Sequence, residues 1–500
     1  MLVLSVVYFF FIGLILVALS LKRARGLYRL MMIVMKIEGP SYWDLATKHA
    51  KELMGEDQIS YLSKLCVQYG YRPWALFTSN FNFVVIVSHP NSVADVIQNP
   101  HMSDMSSWLD NGLRYCVAEG SLNLNRPYPT GQWPRRVISP AFKKPNMNTR
   151  MVAMCAGAED LVEQLRVKAD GPSFDVTDIL DISIVDTTIR FIADNVKVIT
   201  SVRRSCEAVE EGMLPARIET LNPFYHSFKA KFDKKTREKD EFTRSVISEM
   251  KPLFRKEKII VKNCMINRMD PQPEDDVECL SSAILELGID EQDVGDEFLT
   301  IAVGAMETCR TVLKTMMLLV ALHSDVQHRL YEELETALGQ MKSLTLQDLQ
   351  DMKYMDAVIK ESLRLYPSVP LVGRNVDKTS TISGVVVPRG SHVIINTMAL
   401  QRNPDVFVDP NSFIPERFMG EGEKNLHQYA YMPFSVDQIT CSGQGDITLK
   451  VFFSAILRNF RIVPGENIKC VDDIEIRIGS AISICDPKIR LVSRNKTVFV

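Results

Sequence analysis

Residues 2–21 form one apolar run without a charge, centred on Phe9, Phe10, Phe11 and Ile12. About 20 apolar residues suffice to cross a bilayer as a helix. Lys22, Arg23 and Arg25 follow at once, with Arg29 beyond, and positive flanks stay on the cytoplasmic side. The pattern predicts an anchor helix at residues 1–21 with the body of the chain facing the cytosol. A cleaved signal peptide is the rival, since Ala18 and Ser20 are small, but no basic residue precedes the run. No second stretch is long and apolar enough to span. Residues 22–45 read as a linker, with Gly39-Pro40 as a turn. From residue 46 to about 330 the apolar positions follow broken helical periods, including a long apolar helix from about 291 to 324. Within this region, 229–241 reads as a solvated helix face and 263–277 as an exposed loop. Residues 380–387 and 391–396 are β-rich, and Pro388-Arg389-Gly390 between them predicts a hairpin. A second β-like run covers 474–484. The expected fold is mainly α with a small β region (α+β), with residues 46–500 as one domain.

Composition narrows the classes. The 58 basic residues nearly balance 61 acidic ones, whereas a nucleic-acid binder carries a basic surplus. The ten cysteines are scattered and none forms a C-x-x-C pair, which speaks against a zinc knuckle or a secreted disulfide scaffold. Free thiols in a reducing compartment fit better.

Three constellations carry chemistry. The segment YAYMPFSVDQITCSG places Phe434, Cys441 and Gly443 at the matching positions of the haem-thiolate pattern F-x-x-G-x-R-x-C-x-G. A Cys thiolate on iron pushes electron density toward bound dioxygen. Phe434 would pack beside the sulfur in a dry shell. A lone Cys is more often a small buried hydrophobe, so this segment needs support. Glu361 and Arg364 lie three apart on one helix face, and Pro415-Glu416-Arg417-Phe418 follows about fifty residues on. Arg417 can offer its planar fork to Glu361 and complete a network that braces the Cys segment. Third, Glu307 and Thr308 interrupt the long apolar helix. They could relay protons to bound dioxygen; the bland reading is a back-bonded Thr and a solvent-facing Glu.

With these motifs in order, the chain resembles the cytochrome P450 superfamily of haem-thiolate monooxygenases, and looks most like the arthropod family-4 type. The resemblance is densest in MKYMDAVIKESLRLYPSVPLVGR, RNPDVFVDPNSFIPERF, the Cys segment and SAILRNFRI. It implies the P450 fold with an N-terminal membrane-anchor helix. It also implies haem b with Cys441 as axial ligand, and electrons from NADPH through cytochrome P450 reductase, with cytochrome b5 as a further candidate donor. The setting it implies is the endoplasmic reticulum membrane, single-pass, with the catalytic domain on the cytosolic face among membrane lipids. The reaction it implies inserts one oxygen atom into a small lipophilic substrate: a fatty acid, terpenoid hormone or xenobiotic. Glu307 and Thr308 would serve oxygen activation. Glu361, Arg364 and Arg417 would form the structural triad. Arg374 and the pair Trp133 and Arg136 would contact the haem propionates.

The chain departs from the pattern in four places. Trp133 is followed by Arg136 where the family's W-x-x-x-R has one residue more, and Gly304 stands where many members carry a haem-esterifying Glu. Asp437 replaces the loop's Gly and Ile439 its propionate-binding Arg. An added anion about 6 Å from another costs roughly 3 kcal/mol at an effective dielectric near 20, and a missing charged hydrogen bond about 1.5–3 kcal/mol. Asp437 and Ile439 therefore keep a second reading open: a non-catalytic P450-fold protein with weakened haem binding that sequesters a lipophile or a partner.

Overall fold

The computed structural model describes residues 37–40, 44, 58–77, 83–102, 147–192, 291–339, 344–434, 444–478 and 481–494. The expected anchor, the 229–241 and 263–277 segments, Trp133, Arg136, Asp437, Ile439, Cys441 and Gly443 lie outside the described residues. Among the described residues no helix is long and apolar enough to cross a membrane.

The chain enters through α1 (Gln58–Gln68), β1 (Trp74–Phe77), β2 (Phe83–Val87) and α2 (Pro90–Ile97). Glu38 offers its carbonyl to Ala75 N–H at 2.9 Å, docking the preceding segment on β1. Every residue of β2, FVVIV, is buried, as suits a β-branched run enclosed on both faces. Next come α3 (Met147–Arg166), β3 (Phe174–Asp175) and α4 (Thr177–Ile192).

The central element is α5 (Glu291–Leu322), 32 residues and about 48 Å long. Its last two turns, residues 316–322, are apolar all round, and Met316, Met317, Leu318, Leu319 and Val320 are fully buried, the pattern of a helix end enclosed by others. Each such side chain contributes about 1.5–3 kcal/mol of burial. α6 (Ser324–Leu338), α7 (Leu346–Asp351) and α8 (Lys353–Leu365) follow. Later in the chain comes α9 (Gln444–Asn459), and α3, α4, α5 and α9 pack side by side into the main core. Gly157 sets the spacing at which α3 crosses α4. A Cβ there would fall 1.8 Å from Thr187 Oγ1, so only Gly lets α3 approach α4 this closely.

The β part comprises β4 (Leu371–Asn375), β5 (Ser380–Ile382), β6 (Val385–Val387), β7 (His392–Asn396), β8 (Phe460–Pro464), β9 (Ile476–Ile478), β10 (Ile482–Ile484) and β11 (Lys488–Ser493). One sheet has the order β1-β2-β7-β4, with β2 and β7 parallel and the other pairs antiparallel. A second has the order β3-β11-β8, and β5-β6 and β9-β10 are separate hairpins. The expected hairpin between 380–387 and 391–396 is corrected here. The reversal lies inside the first run, at Ser383-Gly384, where both residues have positive φ (45° and 80°) and Ile382 pairs with Val385. That is the two-residue loop whose twist suits a hairpin. Pro388 to Gly390, with Gly390 at φ 83°, instead redirects the chain, and β7 joins the larger sheet between β2 and β4. The 474–484 run divides into the β9–β10 hairpin.

Gln327 of α6 is buried and acts like a strand partner for β8. Its Nε2 donates to Ile462 O at 2.8 Å and its Oε1 accepts from Ile462 N–H at 2.7 Å.

Candidate functional site

α8 presents Glu361 and Arg364 on one buried face, both 0 % exposed. Arg364 Nε donates to Glu361 Oε2 at 2.7 Å and Nη2 to Oε1 at 2.8 Å, a two-point contact. The remaining three donor positions of Arg364 reach the carbonyls of Gln401, Pro410 and Ser412 at 2.9, 2.6 and 3.0 Å. Arg417 Nε also reaches Glu361 Oε1, at 3.3 Å, and its Nη2 donates to Asp409 O at 2.7 Å. Burial holds the Arg417 guanidinium below its ordinary value, with Glu361 opposing. Ile414 N–H completes the set on Glu361 Oε1 at 2.9 Å. The structure thus brings together the three residues that the sequence paired, and they fasten residues 401–417 to α8.

The extension of this brace toward the Cys segment was not legible in the sequence. Gln401, fully buried, donates through Nε2 to Leu363 O and Arg364 O at 2.9 and 3.1 Å, taking the last carbonyls of α8. Its Oε1 accepts from Met432 N–H at 3.0 Å. Two residues further, Phe434 packs partly buried on the main core. Tyr431 packs its ring on Phe418 at 4.7 Å between centroids, and burial pushes its hydroxyl well above the ordinary value. Beyond the segment, Lys450 of α9 pairs with Asp356 of α8 and Asp446 of α9 and donates to Leu349 O at 2.9 Å. Burial raises the Asp446 carboxyl, with Lys450 opposing. The chain on either side of residues 435–443 is therefore held to α8 by buried polar contacts. Arg374 lies on β4, 3 % exposed, with Nη1 donating to Gly373 O at 3.1 Å.

On α5, Gly304 is exposed and Ala305 and Thr308 are partly exposed, whereas residues 309–321 are buried throughout. A Cβ added at Gly304 would meet nothing within 4 Å. The helix is therefore open on the side that carries Gly304. Thr308 stands at that opening with its hydroxyl donating to Gly304 O at 2.8 Å. Glu307 does not face solvent: it is 4 % exposed and accepts at Oε1 from Arg310 Nη2 at 3.1 Å. Arg310 Nη1 continues to Asp181 Oδ2 of α4 at 3.0 Å. One half of the bland reading describes Thr308 and the other half is overturned for Glu307. Thr311 ties the same helix to β10, its Oγ1 lying 2.7 Å from Ile482 O.

Known proteins share this fold. Cytochrome P450DA heme domain superposes with a TM-score of 0.72 at 17 % identity, covering 91 % of this chain and 96 % of its own. A second solved cytochrome P450, CYP102L1, gives 0.72 at 18 % identity, covering 87 % and 94 %. At such identity these show the fold alone. Probable cytochrome P450 4ac3 of Drosophila melanogaster is 36 % identical over 195 residues, 39 % of this chain and 38 % of that protein. Probable cytochrome P450 4ac2 of the same fly is 30 % identical over 303 residues, 58 % of each. Cytochrome P450 4V2 of Mus musculus is 35 % identical over 175 residues, 34 % and 33 %. The aligned part thus spans between a third and three fifths of these curated relatives. The Cytochrome P450 family profile itself matches residues 54–481, most of the chain, and on that ground the chain belongs to the cytochrome P450 family.

Proposed function

We propose that this protein is a haem-thiolate monooxygenase that places one oxygen atom from O2 into a lipophilic substrate with NADPH-derived electrons. The observation that carries the reading is the exposure of α5 at Gly304 and Thr308, directly before the buried stretch 309–321. The described residues fit the group that the family implies. Gly304 leaves room for a flat ring against the helix, and Arg374 supplies a buried cation for an anionic edge. Cys441 would hold the iron, with Phe434 beside the sulfur and Gly443 in the loop. Trp133, Arg136 and Arg374 would hold the propionates. Bound haem with a thiolate ligand supplies the dioxygen chemistry, since the thiolate favours O–O cleavage.

The chain's own residues supply orientation and protons. Thr308 Oγ1 has its hydrogen on Gly304 O, which leaves its lone pairs free to accept a hydrogen bond at the open side. A proton can be held there and passed on. The buried brace from Glu361 through Gln401 to Met432 supports the approach to Cys441. An apolar anchor at 1–21 would tether the protein to the endoplasmic reticulum membrane, facing the cytosol, where lipophilic substrate and the NADPH–cytochrome P450 reductase meet it.

The test is a carbon monoxide spectrum of the full chain, supplied with haem and reduced. The thiolate-specific Soret band is expected, and Cys441→Ala abolishes it. A band of the neutral-ligand type, or none from folded protein, favours the sequestering reading that Asp437 and Ile439 suggest. Asp437→Gly with Ile439→Arg should raise haem content.

A further inference from the structure

The junction of α6, α8 and α9 gathers three carboxylates around one buried cation. Lys450 of α9 is 5 % exposed. Its Nζ pairs with Asp356 in the first turn of α8 and, at 3.8 Å, with Asp446 one turn earlier on α9. It also donates to Leu349 O of α7 at 2.9 Å. Glu333 of α6 comes to the start of α8, where its two oxygens accept from Tyr354 and Met355 N–H at 2.7 and 2.8 Å. Burial raises the carboxyls of Glu333 and Asp446; Asp356 adds to the rise in both, and Lys450 opposes it in both. Lys360 acts on Asp446 as well, but it is partly exposed and already paired with Glu423. Lys450 is thus the cation bonded to Asp356 and Asp446 together.

We infer that Lys450 is a positioning residue for the Cys segment: its charge ties α9, which begins three residues after Cys441, to α7 and α8, and keeps Asp356 and Asp446 from repelling each other across that joint. The assignment rests on reading Cys441 as the iron ligand. Upstream of the segment, Gln401 fastens Met432 to the end of α8. Downstream, Lys450 reaches two other helices from a single point on α9. Without its charge, two carboxylates on facing helices would share one corner, and like charges brought together disfavour the ionised pair. Asp356 and Asp446 keep 24 % and 38 % of their side chains exposed, so water softens that repulsion without removing it. A role in charge and a role in packing part company here. If Lys450 only filled space, an uncharged side chain of similar length would serve, and neutralising an acid beside it would repair nothing.

The experiment supplies haem to the full chain and compares it with Lys450→Arg, Lys450→Met, Lys450→Gln, Asp356→Asn and Asp446→Asn, and with the doubles Lys450→Gln/Asp356→Asn and Lys450→Gln/Asp446→Asn. Gln keeps an N–H donor for Leu349 O while removing the charge. Urea unfolding is measured for each, and carbon monoxide spectra of the reduced, folded protein give the share of the thiolate-type Soret band against the neutral-ligand type. Lys450→Met and Lys450→Gln should each raise the unfolding equilibrium constant about tenfold or more and lower the thiolate share, with Lys450→Arg closest to the wild type in both. At least one double should be about fivefold or more better than the product of its singles and regain thiolate share. If Lys450→Gln does not fold and a double does, that is the same rescue. Doubles no better than independent singles overturn the assignment, as does Lys450→Met matching the wild type. So does a destabilised Lys450→Gln whose folded fraction keeps the full thiolate share, since Lys450 would then support the fold and not the Cys segment. If the wild type shows no thiolate band, the monooxygenase reading fails, and the unfolding measurements alone decide whether the charge of Lys450 holds the joint.

Discussion

Truncating Glu361 to Ala is the sharpest test of the brace behind the Cys segment. The carboxylate accepts from Arg364 Nε and Nη2, Ile414 N–H and Arg417 Nε, at 2.7, 2.8, 2.9 and 3.3 Å. Four independent charged hydrogen bonds at about 1.5–3 kcal/mol each would be comparable to the whole stability of a domain, about 5–15 kcal/mol. They are not independent, because they share one carboxylate. Arg364 also keeps its contacts to the carbonyls of Gln401, Pro410 and Ser412, so its charge is stranded but not wholly unsolvated. The cost of breaking a buried pair, about 3–5 kcal/mol, is the better figure. Urea unfolding followed by far-UV circular dichroism reads it as a fall in the midpoint with the slope unchanged. Glu361→Gln keeps one carbonyl acceptor and should lose roughly half as much. A loss below about 1 kcal/mol in Glu361→Ala would show that the carbonyl cage holds Arg364 without its anion, and the reasoning would be wrong.

Two further outcomes follow from single positions. Gly157→Ala puts a Cβ 1.8 Å from Thr187 Oγ1 and should cost about 1–3 kcal/mol by overpacking, read as a lower urea midpoint; Thr187→Ala should recover part of it, because its Cβ remains 3.0 Å away. His392 of β7 is held below its ordinary value by burial and stands 3.1 Å from Asn375 Oδ1. The unfolded chain therefore binds the proton first as pH falls below about 6.5, and folding stability drops by up to about 1.4 kcal/mol per pH unit until the folded state also titrates. His392→Gln should flatten the thermal midpoint against pH in that window, and an unchanged slope would assign the dependence elsewhere.

What the sequence disclosed was local or close to local. The span of α5, the meeting of Glu361 with Arg364, and the β character of 380–396 follow from spacing and side-chain type. Arg417 was within reach because its motif sits at a recognisable distance from the first pair. The hairpin was placed one turn too late because Pro388-Arg389-Gly390 punctuates more strongly than Ser383-Gly384, although only the latter closes a two-residue loop. β1 and β2 went unread although FVVIV is a β-branched run and the two strands pair with each other; β7, which encloses β2 on its other edge, lies some 300 residues on, beyond any sequence window. The burial of Glu307 was equally hidden. Arg310 is three positions away and visible, but Asp181, which completes the pair, comes from α4. Gln401 carries no motif at all, and its role depends on where α8 ends and where Met432 arrives.

The amide of Gln327 has a consequence for how the molecule behaves in company. β8 is the last strand of its sheet, and a border strand with free peptide groups is a template on which a second chain can add. At Ile462 both groups are already taken by one side chain from α6. A single glutamine from the helix that covers this border thereby fills the place of a neighbouring strand, and Gln327→Leu would strand both peptide groups of Ile462 in the interior, at a cost of about 1–3 kcal/mol each.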